Sequence, residues 1–119
     1  MKLKILPPAL REKKRYIVFN AYSQDKIDRK NMVLIVWNNS LYVHGELLAA
    51  KINPWLIKFD EVKSTKTTHH YRGIVKCNRN YVNEMELTLA SVTIHNNKRV
   101  VIHPKGTSGT IKAAIKKFY

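Results

Sequence analysis

The chain has 119 residues, 45% of them hydrophobic, and a formal net charge of +14; that is enough apolar material for one core and too much for wholesale disorder. Its longest apolar run, Met32 to Trp37, falls far short of the about 20 residues that cross a bilayer, and its single cysteine, Cys77, excludes an internal disulfide or a cysteine-cluster metal site and makes a reducing cytoplasm the expected compartment. The charge is uneven: residues 1–16 hold six Lys/Arg against one acid, residues 98–119 hold six and no acid, and the 81 residues between carry ten against seven, a distribution suited to neutralising a polyanion.

Lys2 and Lys4 precede a few apolar residues that Pro7, Pro8 and Arg11 interrupt, so no secretory leader is expected. Residues 1–14 read as a basic N-terminal arm. Arg15–Ser23 alternates, with Ile17, Phe19 and Ala21 on one side and Tyr16, Val18, Asn20 and Tyr22 on the other, which is the period of a strand. Asp28 can cap a helix over residues 29–43 that Gly45 ends. Its apolar content (Met32, Val33, Ile35, Val36, Trp37, Leu41, Val43) predicts that it is well buried, and Glu46–Ile52 adds a helical turn before Asn53-Pro54.

Trp55–Glu61 reads as a second strand, Ser64–His70 as a hairpin loop and Tyr71–Asn78 as a third strand. Asn80 is placed to cap the next helix, and Glu84 to complement its dipole. Val82, Met85, Leu89 and Val92 follow at spacings of three, four and three, an amphipathic stripe. Asn96-Asn97 makes a turn, Arg99–His103 a fourth strand, and Ser108-Gly109-Thr110 leads into a short final helix with Ile111, Ile115 and Phe118 on one face. Strand, helix, strand, strand, helix, strand and closing helix form the split β-α-β order. The expected fold class is α+β: a ferredoxin-like, RRM-like α-β sandwich, with a four-stranded antiparallel sheet, helices on one face and an extra C-terminal helix. Residues 15–119 are expected to make a single RNA-binding domain.

No catalytic constellation stands out. Asp25, Asp28, Asp60, Glu61, Glu84 and Glu86 sit at helix starts or strand ends, where acids have ordinary structural work. His44, His69, His70, His95 and His103 lack the spacing of a zinc site. Cys77 falls on the core side of a strand, as a small hydrophobe does. The loop Gly106–Thr110 before a helix, with Lys112 beyond it, reads either as a turn and cap or as amides cradling a phosphate. Aligning Arg72-Gly73 with the third-strand consensus of the RNA recognition motif puts Ile74, Lys76 and Arg79 where stacking aromatics belong. That disfavours reading of splayed bases and leaves phosphate contact. The outward face also carries Val18, Tyr22 and Ile74, apolar enough for a protein partner to cover part of it.

Longer motifs carry a resemblance. Leu6-Pro7-Pro8-Ala9-Leu10-Arg11 with Lys13-Lys14-Arg15-Tyr16-Ile17, then Gly45-Glu46-Leu47, Pro54 through Glu61, Gly73 through Asn80, Val82, Glu84, Leu87, Leu89-Ala90 and Ser108 through Lys112 run in an order that resembles the family of archaeal ribonuclease P protein component 2, the Pop-five family. The helix around Met32–Tyr42 and the stretch His103-Pro104-Lys105 match least. The resemblance implies a subunit of a ribozyme endoribonuclease that removes 5′ leaders from precursor tRNA. It implies catalysis by the RNA subunit, which uses Mg2+, with no cofactor held by the protein and no catalytic residue in it. It also implies partners: ribonuclease P RNA, ribonuclease P protein component 3 as a heterodimer of which two can assemble together, the other ribonuclease P proteins, and precursor tRNA as substrate; no membrane is expected, because no helix read from the sequence joins a basic face to a broad apolar one. The residues expected to meet RNA are Lys13, Lys14, Arg15, Arg72, Lys76, Arg79, Ser108, Gly109, Lys112, Lys116 and Lys117. The rival readings are a free-standing or ribosome-associated RNA-binding domain, an autonomous nuclease and a protein-binding adaptor.

Overall fold

The computed structural model describes residues 13–95 and 98–119. Residues 1–12 of the expected arm and the turn at Asn96-Asn97 lie outside the described residues. The elements are β1 (Lys14–Ser23), α1 (Arg29–Ile52), β2 (Trp55–Ser64), β3 (His69–Asn78), a 3-10 turn (Arg79–Tyr81), α2 (Val82–Ala90), β4 (Ile94–His95), β5 (Lys98–Ser108) and α3 (Ile111–Phe118).

Asp28 caps α1 as its side chain suggests, with Oδ1 accepting from the Asn31 amide at 2.7 Å. Gly45 interrupts α1 at φ 80° without ending it. Only glycine adopts that backbone freely, so the helix kinks there and resumes. It stops at Asn53, left-handed at φ 51°, whose N–H reaches the Ala49 carbonyl at 3.0 Å. The cap expected from Asn80 is absent: residues 79–81 form the 3-10 turn, and α2 begins at Val82 with no side-chain cap bond.

The sheet is antiparallel in the order β2-β3-β1-β5-β4. It has five strands rather than the expected four, because Ile94 and His95 pair with Arg99 and Lys98. Two residues are too few to show period-two alternation, so this strand leaves no sequence pattern. β5 continues past His103 to Ser108, with Lys105 as the extra residue of a bulge opposite Val18 and Phe19. Bulges of this kind re-aim the strand that carries them.

One face of the sheet builds the main core. Ile17, Phe19, Ala21, Tyr71, Val75, Val100 and Ile102 meet Met32, Ile35, Val36 and Ile52 of α1 and Met85 and Leu89 of α2. Gly73 lets β1 close on β3: a Cβ there would stand 2.5 Å from Cζ of Phe19. His44 and Asn39 tie the two helices, the imidazole Nε2 lying 2.9 Å from Thr88 Oγ1 and the amide donating to the Thr88 carbonyl at 2.6 Å.

The third helix does not join that layer. Ala114 of α3 packs on Val18 and Ile74, all three fully buried, with Tyr16, Ile57, Phe118 and Tyr119 around them. These strand residues point away from α1 and α2, so α3 covers the opposite face, and the expectation of helices on one face holds for α1 and α2 alone. Burying a residue such as Val18 or Ile74 contributes about 1.5–3 kcal/mol, enough to explain why the chain crosses over. The expectation that α1 is well buried is also corrected. Val33, Leu34, Trp37, Tyr42 and Leu47 are exposed, the last two by 89% and 82%. One helix face reaches the sheet, and a sequence apolar on several faces leaves the remainder outside.

Candidate nucleic-acid interface

Antiparallel pairing brings the start of β1 and the ends of β3 and β5 to one end of the sheet. Lys14 pairs with Asn78, and Tyr16 pairs with Ser108. The Arg79 amide donates to the Lys13 carbonyl at 2.9 Å. Lys14 Nζ donates to Asn78 Oδ1, and the Asn78 amide donates to the Lys51 carbonyl at 2.5 Å. This fixes the strand ends against the foot of α1. Arg15 Nη1 donates to the Lys14 carbonyl at 2.9 Å, and the same nitrogen lies 3.8 Å from where a Cβ of Gly109 would stand. Residues from the start of β1, the turn after β3 and the end of β5 thus form one cationic corner: Lys13 and Arg79 exposed, Lys14 and Arg15 half-buried, with half-buried Ser108 and exposed Gly109 beside them.

The loop before α3 has a cap of its own. Thr110, one residue beyond the Ser108-Gly109 pair, accepts from the Ala113 amide at 3.1 Å through Oγ1. Lys112, Lys116 and Lys117 are exposed on α3. The last two sit in its final turn, where a cation offsets the helix dipole.

The two remaining basic residues lie farther along the sheet. Lys76 is half-buried, with Nζ 5.7 Å from the ring centre of Trp55. Trp55 is 57% exposed; it pairs with Lys76 across β2 and β3, a neighbour visible only once the register is known. Arg72 is engaged by α3: Nη1 donates to the Tyr119 carbonyl oxygen at 2.7 Å, and the guanidinium lies 5.7 Å from the Tyr119 ring centre. The Tyr119 hydroxyl donates to Asp60 Oδ2 and, at 3.0 Å, lies against the Arg72 carbonyl. Burial and the bond to Asp60 push the Tyr119 phenol well above its ordinary range, while that bond holds the Asp60 carboxyl below its own. The structure therefore brings Lys13, Lys14, Arg15, Arg79, Ser108 and Gly109 together, sets the α3 lysines on the adjoining helix, and gives Arg72 a bond within the fold.

Four of the acids have partners within the fold, whereas Oε2 of Glu84 is buried with none. Asp28 caps α1. Asp60 lies 3.1 Å from Lys58 Nζ as well as on Tyr119. Glu61 accepts from Ser64, and Glu86 accepts from Thr107 at 3.3 Å. Among the described residues there is no group of three or more His, Cys, Asp or Glu that could hold a metal ion. Cys77 is buried, which pushes its thiol up to about 11, far from the thiolate a nucleophile needs.

An apolar surface lies along the outer side of α1 and the adjacent edge of β2. Val33 and Trp37 with Pro54 and Trp55 line a groove of about 470 Å³. No helix among the described residues is long and apolar enough to cross a membrane.

The sequence matches the model of the Rpp14/Pop5 family over residues 15–119. Among curated proteins it is 46% identical over 118 residues to the ribonuclease P protein component 2 of Pyrococcus abyssi, covering 99% of this chain and 94% of that protein. To the protein of the same name from Methanobrevibacter smithii it is 39% identical, covering 98% and 97%. To that of Pyrococcus horikoshii it is 44% identical, covering 98% and 92%.

Proposed function

The chain belongs to the Rpp14/Pop5 family, and from that premise we propose that it is a protein subunit of ribonuclease P that supports the catalytic RNA in removing the 5′ leader from precursor tRNA. The observation that carries the reading is the cationic corner, in which Arg15 from β1 and the Gly109 turn from the end of β5 meet, beside a set of described residues with no group of three or more His, Cys, Asp or Glu that could hold a metal ion. Bond breaking then belongs to the RNA and to the Mg2+ it binds. The protein works by offsetting phosphate repulsion, so that the RNA keeps its compact form at lower magnesium. Lys13, Lys14, Arg15, Arg79, Lys112, Lys116 and Lys117 contact the backbone, and the amides of Ser108 and Gly109 add donors beside Arg15. Lys76 with Trp55 extends the interface along β3, and Arg72 acts through its hold on α3. Ribonuclease P protein component 3 docks on the α1 side of the apolar groove, at Val33 and Trp37. The assembly works in the cytoplasm.

The test is reconstitution with the RNA subunit and component 3, scored for leader removal across a magnesium titration. Replacing Lys13, Arg15 and Arg79 by Gln raises the magnesium requirement. It also makes the plot of log affinity against log salt shallower by about 0.7–0.9 for each phosphate that the protein no longer neutralises. A magnesium titration and a salt slope both unchanged in the triple variant refute the proposal.

A further inference from the structure

The face that α3 covers is only half covered. Its packing ends at Val18 and Ile74 and at Gly106, which backs onto Phe118. Farther along the same face, β1 presents Tyr22, β3 presents His70 and β5 presents His103. Tyr22 and His70 are paired in register and stacked, with ring centres 4.5 Å apart and planes at 13°. His103 meets Tyr22 edge-on, with centres at 6.0 Å and planes at 64°. Asn20 Oδ1 accepts from His70 Nε2 at 3.2 Å and fixes that ring. Three rings thus stand in a row across three strands, at the end of the sheet away from the cationic corner.

Cross-strand rings stabilise a sheet by themselves, so the row alone does not require a ligand. Three further features do point to one. The row has cations at its rim: Lys63 pairs with His70 in the register, and Lys105 and Arg72 are close enough to act on the His70 charge. A cavity of about 140 Å³, bounded by Tyr22, Gln24, Thr68, Arg99 and Val101, opens at the same end. Finally, this chain shields the rest of that face with its own helix and leaves His103 exposed.

We infer that Tyr22, His70 and His103 form a stacking site for an unpaired nucleobase, with Arg99 and Lys105 taking its flanking phosphates. The inference deepens the ribonuclease P reading and rests on it for the nature of the ligand, an RNA with a single-stranded nucleotide at that place. A planar base extends a row of rings whatever its identity, because every base has a π-face. The site therefore selects for unpaired RNA over duplex and not for a sequence.

The experiment measures binding of the full chain to fluorescent hexauridylate, to an abasic oligomer with the same phosphates, and to a short RNA duplex. Wild type binds hexauridylate about 5- to 150-fold more tightly than the abasic oligomer, the range that stacking one base supplies. Tyr22→Leu brings that ratio close to one and leaves abasic and duplex affinities as they were. His103→Ala, at an exposed position, lowers the ratio too and keeps the test usable should Tyr22→Leu fail to fold. Equal binding of hexauridylate and abasic oligomer by wild type overturns the inference. So does a ratio that survives both substitutions, which would make the rings merely structural. Either result leaves the ribonuclease P reading intact. Failure of the chain to support leader removal while the base preference persists overturns that reading and leaves the stacking site standing.

Discussion

Gly106→Ala tests how α3 is seated on the sheet. A Cβ on Gly106 would stand 2.4 Å from Cε1 of Phe118 and 2.5 Å from Cδ1 and Cζ, whereas carbon atoms rest about 3.5–4.0 Å apart. The ring must therefore move by about 1 Å or more. If it stays and spreads the strain, overpacking costs about 1–3 kcal/mol. If it swings out, the half-buried ring forfeits about half of the 1.5–3 kcal/mol that full burial of Phe contributes, or about 1 kcal/mol. The cheaper route sets the expected loss at about 1 kcal/mol, read as a lower urea midpoint at unchanged slope. Gly106 does not have a positive φ, so the alanine itself is unstrained there. In a Phe118→Ala background the same substitution becomes neutral or stabilises by about 0.4–1 kcal/mol, because it restricts the unfolded chain. The sign reversal is the diagnostic, and a double-mutant cycle reads it directly. An equal loss in both backgrounds would refute the seating of Phe118 on Gly106.

The bond between Tyr119 and Asp60 sets two pH limits on the fold. Below about pH 4 the unfolded chain protonates Asp60 while the folded protein resists, so stability falls with pH; above about pH 10 the unfolded chain loses the Tyr119 proton while the folded protein keeps it, so stability falls as pH rises. Tyr119→Phe costs about 1 kcal/mol at neutral pH and flattens both limbs in urea titrations run across pH. The alkaline limb persists in part because burial also raises Tyr71, and limbs left unchanged by the substitution contradict the assignment. Cys77, buried and held near 11, is expected to resist a thiol reagent at pH 8 in the native protein and to react at once in urea. Rapid native reaction would place the thiol outside the core.

What the sequence disclosed follows the range of the forces involved. The alternation of Ile17, Phe19 and Ala21 and the Asp28 cap are local patterns that the structure reproduces, and of the stripe Val82, Met85, Leu89 and Val92 the first three lie on α2 while Val92 reaches the core from beyond its end at Ala90. The outer apolar residues of α1 defeat such reading because composition counts Val33, Leu34 and Trp37 without saying how wide a stripe the sheet can take. Gly45 is legible as a breaker, but not as a kink within one helix. The meeting of Arg15 with Gly109 has no local signature, since only the pairing of β1 with β5 brings them together. The engagement of Arg72 by Tyr119 is hidden for the same reason.

The side of the sheet chosen by α3 changes the weight of one sequence argument. Ile74 stands where a stacking aromatic would be expected, and its presence argues against base reading. Yet Ile74 is fully buried beneath Ala114, so a ring at that position would meet the protein's own helix instead of a base. At that position the missing aromatic reports the packing of α3, while Lys76, half-buried, and Arg79, exposed, still put no ring at that end of the face. The part that α3 leaves uncovered lies four residues away along each strand, at half-buried Tyr22 beyond Val18 and half-buried His70 before Ile74, and there the rings are present and stacked. A consensus tied to one row of a sheet tests for base stacking only where that row is open to solvent, and in this fold the rings beyond α3 are half-buried Tyr22 and His70 with exposed His103 beside them.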